Sequence, residues 1–315
     1  MNGAPRKVVR FCCNARYDDP DPEESVPMQV FTVTKDSALL TQFEFSDNAH
    51  KFLHATQLIF IVPSNLVKDF ERAYEARTFC TIIDEKSLLT EALPEIEKWN
   101  VSGFPERAGW YYQQLLKMAI ATSKIAQSKY VVWDSDTIPY RNMTFFEGDK
   151  LIFTRGREFN KPYFLTNDAL IGIDRSRENL RFSAISQHMP VDRELMLALL
   201  RRIGQDDQGD WVAAIRRSVS DGRMGLSLFS EYEIFADWVR VNYPDRFALR
   251  KLAWSRRGNL FSHRQLAVAK EGMHFIAFEV WDFGRRVSYW RAAKLWCEVL
   301  SALLQQRLGL QRPSS

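Results

Sequence analysis

Cysteine is scarce in this 315-residue chain, and the four residues present form no metal-binding or disulfide pattern. Cys12 and Cys13 are adjacent, Cys80 and Cys297 stand alone, and no CxxC pair occurs. This spacing excludes a zinc framework and a disulfide scaffold. It favours a protein of a reducing compartment.

Long hydrophobic segments are also absent. No run approaches the ~20 apolar residues that a membrane-spanning helix needs. The basic residues near the N-terminus are not followed by the apolar stretch of a secretory signal peptide. We therefore expect a cytoplasmic protein, and the sequons at Asn100 and Asn142 carry little weight.

Neither charge nor glycine content points to nucleic acid or to a phosphate-binding loop. The net charge is +4, from 43 basic and 39 acidic residues, and no dense basic patch is interleaved with aromatics. We therefore expect no nucleic-acid partner. No glycine-rich loop follows the first predicted strand, which disfavours a nucleotidyltransferase-type phosphotransfer enzyme. A hydrophobic content of 46% indicates a globular protein with a sizeable core.

Apolar runs alternate with helical patterns in the first half of the chain. The predicted strands are 28–34, 57–63, 78–84 and 130–134, and the predicted helices are 66–76, 85–99 and 109–127. Continuous apolar strands separated by helices predict a parallel sheet that is covered on both faces. The second half is less regular. Its predicted strands are 150–156, 168–175 and 274–282, and its predicted helices are 191–204, 210–222, 229–244 and 285–308.

The segment "YVVWDSDTIP" runs a buried strand into two carboxylates, Asp134 and Asp136. Ligands of open parallel sheets bind at the carboxyl ends of the strands. Alternation along a strand would send both side chains the same way, where they repel unless a cation joins them. Oxygen ligands suit Mg²⁺ or Mn²⁺, which also bind phosphates. The pattern predicts a metal clamp on a nucleotide diphosphate, and the alternative is a solvated turn.

The segments "GWYYQQLLKMAIA", "YVVWDSDTIP", "QHM" and "FSEYEIF" occur in this order. Together they resemble the GT-A glycosyltransferases, and in particular a bacterial group of DxD-containing polysaccharide glycosyltransferases. The resemblance covers roughly residues 28–261. It implies a GT-A-like (Rossmann-like) α/β fold, with a mixed, mostly parallel central sheet flanked by helices and a helical C-terminal region.

The resemblance also implies an activity. The chain would move a hexose or pentose from a nucleoside-diphosphate sugar, UDP favoured over GDP, to a glycan or lipid-linked acceptor in surface polysaccharide synthesis. Mn²⁺ or Mg²⁺ would be the cofactor, and the choice between retention and inversion stays open. The alternatives are a nucleotidyltransferase-type enzyme and a non-catalytic binding protein with a degenerate site.

The predicted organisation follows from this resemblance and from the composition. Residues 1–27 form a flexible leader, 28–148 the nucleotide-sugar-binding half and 149–262 the acceptor-binding half. Residues 263–315 supply a C-terminal strand and a helix that pack on the body. The tail helix mixes tryptophan with basic residues, which suits an acidic membrane surface or, alternatively, packing against the body or a second copy.

Two segments are predicted to hold the nucleotide. Gln114 and Lys117 share one face of the helix 109–127 and are candidates for the base or the diphosphate. The alternative is a solvated helix face. Thr34 and Lys35 follow the first strand and are candidates for nucleotide contacts, whereas a turn with Asp36 as a helix cap is the alternative.

Four further residues complete the predicted site. His188 in "SQHMP" is a candidate metal ligand or acceptor contact, with a structural histidine as the alternative. His274 is a rival third metal ligand, because many GT-A enzymes complete the site with a C-terminal histidine. Glu231 is the predicted general base, with a first-turn helix charge as the alternative, and Asp168 is the alternative base.

The chain also contains a second acidic cluster and a basic segment. Asp210, in "GQDDQGDW", is expected to cap a helix, because this segment lacks a preceding strand and the spacing of a calcium loop. Arg256 and Arg257 lie in a basic segment that suits a diphosphate or an anionic acceptor, or else a solvated loop.

Overall fold

The computed structural model describes residues 28–89, 105–178, 181–219, 227–279 and 289–308. The predicted leader 1–27 lies outside these residues, as do most of the predicted helix 85–99 and the end of the predicted strand 274–282.

The strands are β1 (Met28–Val33), β2 (Ala55–Val62), β3 (Cys80–Asp84), β4 (Lys129–Trp133), β5 (Thr137–Pro139), β6 (Phe146–Glu147), β7 (Lys150–Thr154), β8 (His188–Asp192), β9 (Phe247–Arg250), β10 (Trp254–Ser255) and β11 (Phe275–Ala277). The helices are α1 (Glu44–Phe52), α2 (Val67–Tyr74), α3 (Pro105–Ala119), α4 (Lys161–Ile171), α5 (Arg193–Ile203), α6 (Trp211–Val219), α7 (Glu231–Asn242), α8 (His263–Gly272) and α9 (Tyr289–Arg307).

The central sheet has the strand order β3-β2-β1-β4-β8. Strands β1 to β4 are parallel, and β8 runs antiparallel at the edge next to β4. The fold class is therefore as predicted, a mixed, mostly parallel sheet flanked by helices, with a helix at the C-terminal end of the described chain. The strand order reverses between β1 and β4, because β2 and β3 lie on one side of β1 and β4 on the other. The carboxyl ends of β1 and β4 thus border the crevice where ligands of such sheets bind.

The strands form because both of their faces are buried. Alternate residues of β1 and β4 enter two different cores. Phe31 and Val132 join the core on the side of α3, whereas Val30, Val131 and Trp133 join the core on the opposite side. A strand with two buried faces needs apolar residues at every position, which explains the continuous apolar runs in the sequence.

The C-terminal part of the chain returns to the end of β4. Strand β5 begins directly after the DSD segment and pairs antiparallel with β11, with Thr137 opposite Ala277. A small sheet of order β10-β11-β5 results, and helices α8 and α9 pack together beside it. Phe278, just past β11, donates its backbone N–H to the carbonyl oxygen of Asp136 at 2.7 Å.

One local prediction was wrong, and one strand of the central sheet was missed. The predicted strand 168–175 is instead the end of helix α4, which starts with Pro162 in its first turn and stops at Gly172 with a left-handed φ of 72°. Strand β8 was not predicted, because Pro190 argues against a central strand. Proline is tolerated there since β8 lies at the sheet edge. The predicted domain limit at 148 falls in the turn between β6 and β7 and stays a prediction.

Candidate active site

The chain leaves β4 through a tight turn. The Asp134 N–H donates to the carbonyl oxygen of Gln187 at 2.9 Å, and the Thr137 N–H donates to the carbonyl oxygen of Asp134 at 3.0 Å. The alternation expected for Asp134 and Asp136 therefore ends at Trp133. The two carboxylates nevertheless interact, because the charge of Asp134 helps to raise the pKa of Asp136.

Asp134 is the centre of a buried polar cluster that joins three elements. Its Oδ1 accepts hydrogen bonds from Lys117 Nζ at 2.5 Å and from the Tyr232 hydroxyl at 2.8 Å. Lys117 Nζ also donates to Glu231 Oε1 at 2.8 Å. Lys117 comes from α3, Asp134 follows β4, and Glu231 and Tyr232 begin α7. We call Lys117, Asp134, Glu231 and Tyr232 the lysine cluster.

The lysine cluster places one cation between two carboxylates in the interior. The side chains of Lys117 and Glu231 are 5% and 3% exposed, against 17% for Asp134. Burial alone would lower the pKa of Lys117, but the carboxylates of Asp134 and Glu231 raise it well above its ordinary value. Burial likewise raises the pKa of Glu231, and Lys117 opposes that effect. Lys117 is therefore ammonium at neutral pH and holds both carboxylates.

Gln114 fixes the start of α7 against α3. Its Oε1 accepts the backbone N–H of Glu231 at 3.2 Å, and Ser230 caps the same helix by accepting the N–H of Glu233 at 3.4 Å. Gln114 and Lys117 are both buried, so this helix face is not solvated. The structure thus brings together four of the predicted site residues: Gln114, Lys117, Asp134 and Glu231.

Asp136 is the less compensated of the two carboxylates. Within the described chain the one hydrogen bond to its carboxylate comes from Thr137 Oγ1, at 3.1 Å to Oδ1. Burial, the charge of Asp134 and the charge of Glu279 raise the pKa of Asp136 to about 7. A carboxyl group that is costly to ionise here would be stabilised by a bound cation.

Glu279 is a site residue that the sequence reading missed. It lies two residues past β11, is buried, and accepts hydrogen bonds at Oε1 from Gln187 Nε2 at 3.1 Å and from Arg256 Nε at 2.6 Å. Arg256 also binds Glu158 at 2.5 Å. The basic segment predicted for an anionic ligand therefore contributes Arg256 beside the acidic pair. The sequence signal was present, because an acid stands within the strand-like run "HFIAFEV".

Gln187 ties these groups together through a strained backbone. Its φ is +65°, a left-handed conformation that residues other than glycine seldom adopt. Its carbonyl accepts from the Asp134 N–H, and its side chain donates to Glu279. Such strain costs about 1–3 kcal/mol and concentrates at functional sites. We infer that Gln187 sets the relative position of the DSD turn and Glu279.

The end of β1 forms the other wall of the crevice. Gln113 Nε2 of α3 donates to the carbonyl oxygen of Val33 at 3.2 Å. Thr34 is buried, its Oγ1 accepts the N–H of Asp36 at 3.1 Å, and Asp36 accepts the N–H of Ala38 at 2.9 Å. Asp36 is thus a helix cap, the alternative left open by the sequence. Lys35 is exposed, and its ammonium lies near Gly109 of α3.

The two predicted histidines lie apart from the acidic pair. His188 is fully buried, and its ring stacks on Trp133 with centroids 5.0 Å apart, in the core on the side away from α3. Its Nε2 contacts Thr154 Oγ1 at 3.0 Å, and burial lowers its pKa well below the ordinary value. His188 is a core residue in this structure, because its pairing with Trp133 turns it away from the DSD turn.

His274 lies at the far end of β11. Its carbonyl accepts the N–H of Tyr140 at 2.8 Å, four residues beyond Asp136. At a rise of about 3.3 Å per residue, the four residues from Asp136 to Tyr140 place the backbone of His274 roughly 13 Å from that of Asp136. Burial lowers the pKa of His274 to about 3, with further lowering from Arg250 and Arg141. The antiparallel register therefore brings Glu279, and not His274, to the acidic pair.

Asp168 is not part of the cluster either. It lies in α4 and binds Arg177 at 3.2 Å, where their side chains are 35% and 72% exposed. Asp210 caps α6, as predicted, by accepting the N–H of Ala213 at 2.9 Å.

The donor groups of the DSD turn fit a cation that is shared with a substrate. Among the described residues, no group of three or more His, Cys, Asp or Glu side chains is arranged to hold a metal ion. Asp134 Oδ2 and Asp136 Oδ2 accept no hydrogen bond from any residue of the described ranges. Two carboxylate oxygens completed by water and substrate phosphates are a usual environment for Mg²⁺. The pair thus fits such an ion only together with a substrate.

Comparison with protein families identifies the chain. The profile of a family described as "Family of unknown function (DUF6492)" matches residues 39–287, well over half of the chain. The chain belongs to this family. No curated protein sequence matched the chain.

Solved structures with some likeness to this DUF6492 protein include three glycosyltransferases. Mouse xyloside xylosyltransferase 1, in its apo form, has a TM-score of 0.44 at 12% identity, covering 81% of this chain and 98% of its own. The bifunctional glycosyltransferase WbbM has a TM-score of 0.40 at 10% identity, covering 90% and 50%. The Streptococcus pneumoniae glycosyltransferase GlyE, in its apo form, has a TM-score of 0.42 at 10% identity, covering 92% and 65%. The DUF6492 chain thus spans half of WbbM and just under two thirds of GlyE.

No helix among the described residues is long and apolar enough to cross a membrane.

Proposed function

We propose that this DUF6492 protein is a metal-dependent glycosyltransferase. It would move a hexosyl or pentosyl group from a nucleoside-diphosphate donor to a hydroxyl of a glycan or lipid-linked glycan. The observation that carries the proposal is the position of Asp134 and Asp136. They lie at the carboxyl end of β4, beside the end of β1, where the strand order of the sheet reverses.

The donor diphosphate would bind across this crevice. Asp134 and Asp136 each offer one carboxylate oxygen. Burial and then the charge of Asp134 raise the pKa of Asp136 to about 7, so a bound cation would favour its ionised form. A divalent cation, Mn²⁺ or Mg²⁺, would neutralise charge on the leaving diphosphate. Thr34 and Lys35 stand at the end of β1 for the nucleotide, and Lys35 supplies an exposed cation at the mouth of the crevice. We keep UDP as the favoured nucleotide.

The lysine cluster would hold the first of these carboxylates in place. Lys117 and Tyr232 both bind Asp134 Oδ1, which leaves Oδ2 for the cation. Lys117 would also offset charge at Asp134, because it carries a full positive charge at neutral pH. Gln114 orients the start of α7 and so the other half of the cluster.

Glu231 combines a predicted chemical role with a buried position. Its side chain is 3% exposed, and Oε1 binds Lys117, so an acceptor hydroxyl does not reach it in this structure. We therefore propose that Glu231 is a positioning residue that balances the charge of Lys117. The role of general base stays a prediction. The variant Glu231→Gln distinguishes that role from positioning.

A thermal-shift experiment tests the proposal. UDP and GDP are added with and without Mn²⁺ to the wild type, to Asp136→Asn and to Asp168→Asn. A ligand at about 100 times its Kd stabilises the native state by about 2.7 kcal/mol. We expect a Mn²⁺-dependent rise of the Tm in the wild type and in Asp168→Asn, whose substituted residue lies on the surface of α4, and no such rise in Asp136→Asn.

An unchanged metal-dependent shift in Asp136→Asn would disprove the site. A normal shift in the wild type without Mn²⁺-dependent hydrolysis of any nucleotide sugar would favour a non-catalytic binding protein. A shift with nucleoside triphosphates but not with diphosphates would favour a nucleotidyltransferase.

A further inference from the structure

Helix α9 exposes an unusual share of the large hydrophobic side chains. Of eight such exposed residues in the described chain, four belong to α9 or follow it directly: Trp290, Leu300, Leu304 and Leu308. Trp290 is 82% exposed, and the three leucines are between 46% and 63% exposed. Scattered single residues of this kind are normal on a surface, but a concentration on one helix marks an interaction site.

These residues form one continuous stripe. At about 100° per residue, positions that differ by four are about 40° apart on a helix, and those that differ by seven about 20°. The helical hydrogen bonding continues to Leu308, whose N–H donates to the carbonyl of Leu304 at 3.0 Å. Six exposed apolar residues then fall within an arc of about 80° that contains no polar residue. The exposed stripe consists of Trp290, Ala293, Cys297, Leu300, Leu304 and Leu308.

The exposed stripe is not the face that α9 uses for its own folding. Leu295, Val299 and Ala302 are buried, and the last two pack against Ala269 of α8 and against Met273, which directly follows α8. Those residues lie on the other side of the helix from the stripe. The helix is therefore anchored through one apolar face and presents a second one outward.

The charges around the exposed stripe are basic. Lys294 and Arg307 are exposed and border it on its two sides. The one acid within Tyr289–Arg307 is Glu298, which lies away from the stripe and binds Arg257 of the body at 3.4 Å. Beside the end of α9, a cleft of about 630 Å³ is lined by three basic residues, Arg141, Lys270 and Arg307, and by one acid, Glu271.

We propose that the exposed stripe docks onto an anionic lipid bilayer, with α9 lying in the plane of the interface. The apolar stripe would enter the boundary between headgroups and acyl chains, and Lys294 and Arg307 would meet anionic headgroups. A second copy of the chain fits this surface less well. Face-to-face antiparallel pairing of two stripes brings the same edge of each helix together, so Lys294 would share one edge of the seam with Lys294 of the second copy, and Arg307 the other edge with its Arg307. The one acid of the helix, Glu298, already binds Arg257.

Two neighbouring residues, Arg256 and Arg257, connect the candidate active site to helix α9. Arg257 binds Glu298 of α9, whereas its neighbour Arg256 binds Glu279 beside Asp136. A lipid-linked acceptor would thus be presented near the crevice. Docking itself does not depend on the proposed function, because vesicle binding needs neither nucleotide nor metal.

Vesicle flotation of the full chain tests the docking proposal. The vesicles are phosphatidylcholine alone or phosphatidylcholine with phosphatidylglycerol. The variants are Leu300→Gln/Leu304→Gln for the stripe, Lys294→Ala/Arg307→Ala for its borders, and Leu165→Gln as a control, since Leu165 is 46% exposed on α4. All of these side chains are at the surface, so unchanged Tm values will show that the variants fold.

We expect binding to the phosphatidylglycerol vesicles. It should fall at least about tenfold in the double leucine variant, because two partly inserted leucines lose apolar burial. It should fall about fivefold for each base removed, and it should stay unchanged in Leu165→Gln. Brominated lipids should quench the emission of Trp290, seen as the difference between the wild type and Trp290→Phe.

Three results would overturn the proposal. The first is no flotation of the wild type with anionic vesicles. The second is equal flotation of the wild type and the double leucine variant. The third is a concentration-dependent dimer in sedimentation velocity that the double leucine variant abolishes, because the stripe would then serve a second copy.

Discussion

Removal of Lys117 should be costly, because its ammonium group holds two carboxylates. Its Nζ lies 2.5 Å from Asp134 Oδ1 and 2.8 Å from Glu231 Oε1, and all three side chains are largely shielded from water. The variant Lys117→Met keeps the apolar length of the side chain and removes the charge. Two carboxylates then face each other in the interior without a cation.

The expected cost is large. Breaking a buried ion pair by removing one partner typically costs about 3–5 kcal/mol, because the remaining charge is left uncompensated. For a chain of this size each kcal/mol lowers the Tm by roughly 2–4 °C, so a fall of about 6–20 °C is expected. The double variant Lys117→Met/Glu231→Gln removes one of the two stranded charges and should therefore be more stable than Lys117→Met alone.

The pH dependence gives an independent check on the same variant. Burial and the charge of Asp134 raise the pKa of Glu231, and removing Lys117 removes the charge that opposes this rise. When the pKa of a carboxyl group is higher in the folded state than in the unfolded state, the free energy of unfolding falls as pH rises through the interval between the two pKa values. It increases again as pH falls. The deficit of Lys117→Met relative to the wild type should therefore shrink on acidification.

Thermal unfolding of the wild type, Lys117→Met and the double variant at several pH values measures both effects. A cost below about 1 kcal/mol for Lys117→Met, typical of an exposed pair, would refute the reasoning. So would a double variant that is less stable than Lys117→Met.

The remaining predictions concern Asp136, Glu231 and Gln187. The Mn²⁺ affinity in the presence of UDP should rise about tenfold per pH unit up to the raised pKa of Asp136, about 7, because binding releases one proton, and should then level off. Calorimetry from pH 5 to 8 measures this affinity, and a profile that does not change with pH would contradict the prediction. Glu231→Gln should lower the Tm and weaken Mn²⁺ binding if Glu231 positions Lys117, because Lys117 then neutralises Asp134 alone. If Glu231 is the base, only kcat should fall, by about 10²–10⁴. Gln187→Gly should leave the Tm nearly unchanged, because relief of about 1 kcal/mol or more of backbone strain offsets one lost hydrogen bond. Its UDP–Mn²⁺ affinity should drop, and an unchanged affinity would show that Gln187 does not position Glu279.

Much of the central sheet could be predicted because its strands are buried on both faces. The continuous apolar runs of β1 to β4 place each strand within about two residues, and the position of Asp134 and Asp136 at the end of β4 follows from them. The short run at 168–175 shows the limit of this argument. An apolar stretch that ends in glycine fits both a strand and the last turn of a helix capped by Gly172.

The pairings within the site could not be predicted in the same way. Lys117 and Glu231 are 114 residues apart, so the sequence marked both as candidates but could not show that they bind each other. The choice between His274 and Glu279 depends on the antiparallel register of β11 with β5, which decides which end of β11 meets Asp136. Register is a tertiary property, and the local sequence of β11 is compatible with either end.

The burial of the polar face of α3 is a third feature that the spacing of residues in the sequence does not predict. Gln114 and Lys117 have the spacing of a solvated helix stripe, yet α7 covers them. Gln114 Oε1 and Lys117 Nζ are accommodated because Glu231 supplies both a backbone N–H and a carboxylate. Only the packing of two distant helices reveals that compensation.

The central claim is that Asp136, with Asp134, binds a divalent cation that holds a nucleoside diphosphate. Crystals grown with UDP and Mn²⁺ and measured at the manganese absorption edge test it most directly. The account predicts one anomalous peak within bonding distance of an Asp136 carboxylate oxygen and of the diphosphate, between the ends of β4 and β1. A UDP–Mn²⁺ complex bound elsewhere, or a diphosphate in the crevice without manganese at Asp136, would contradict it.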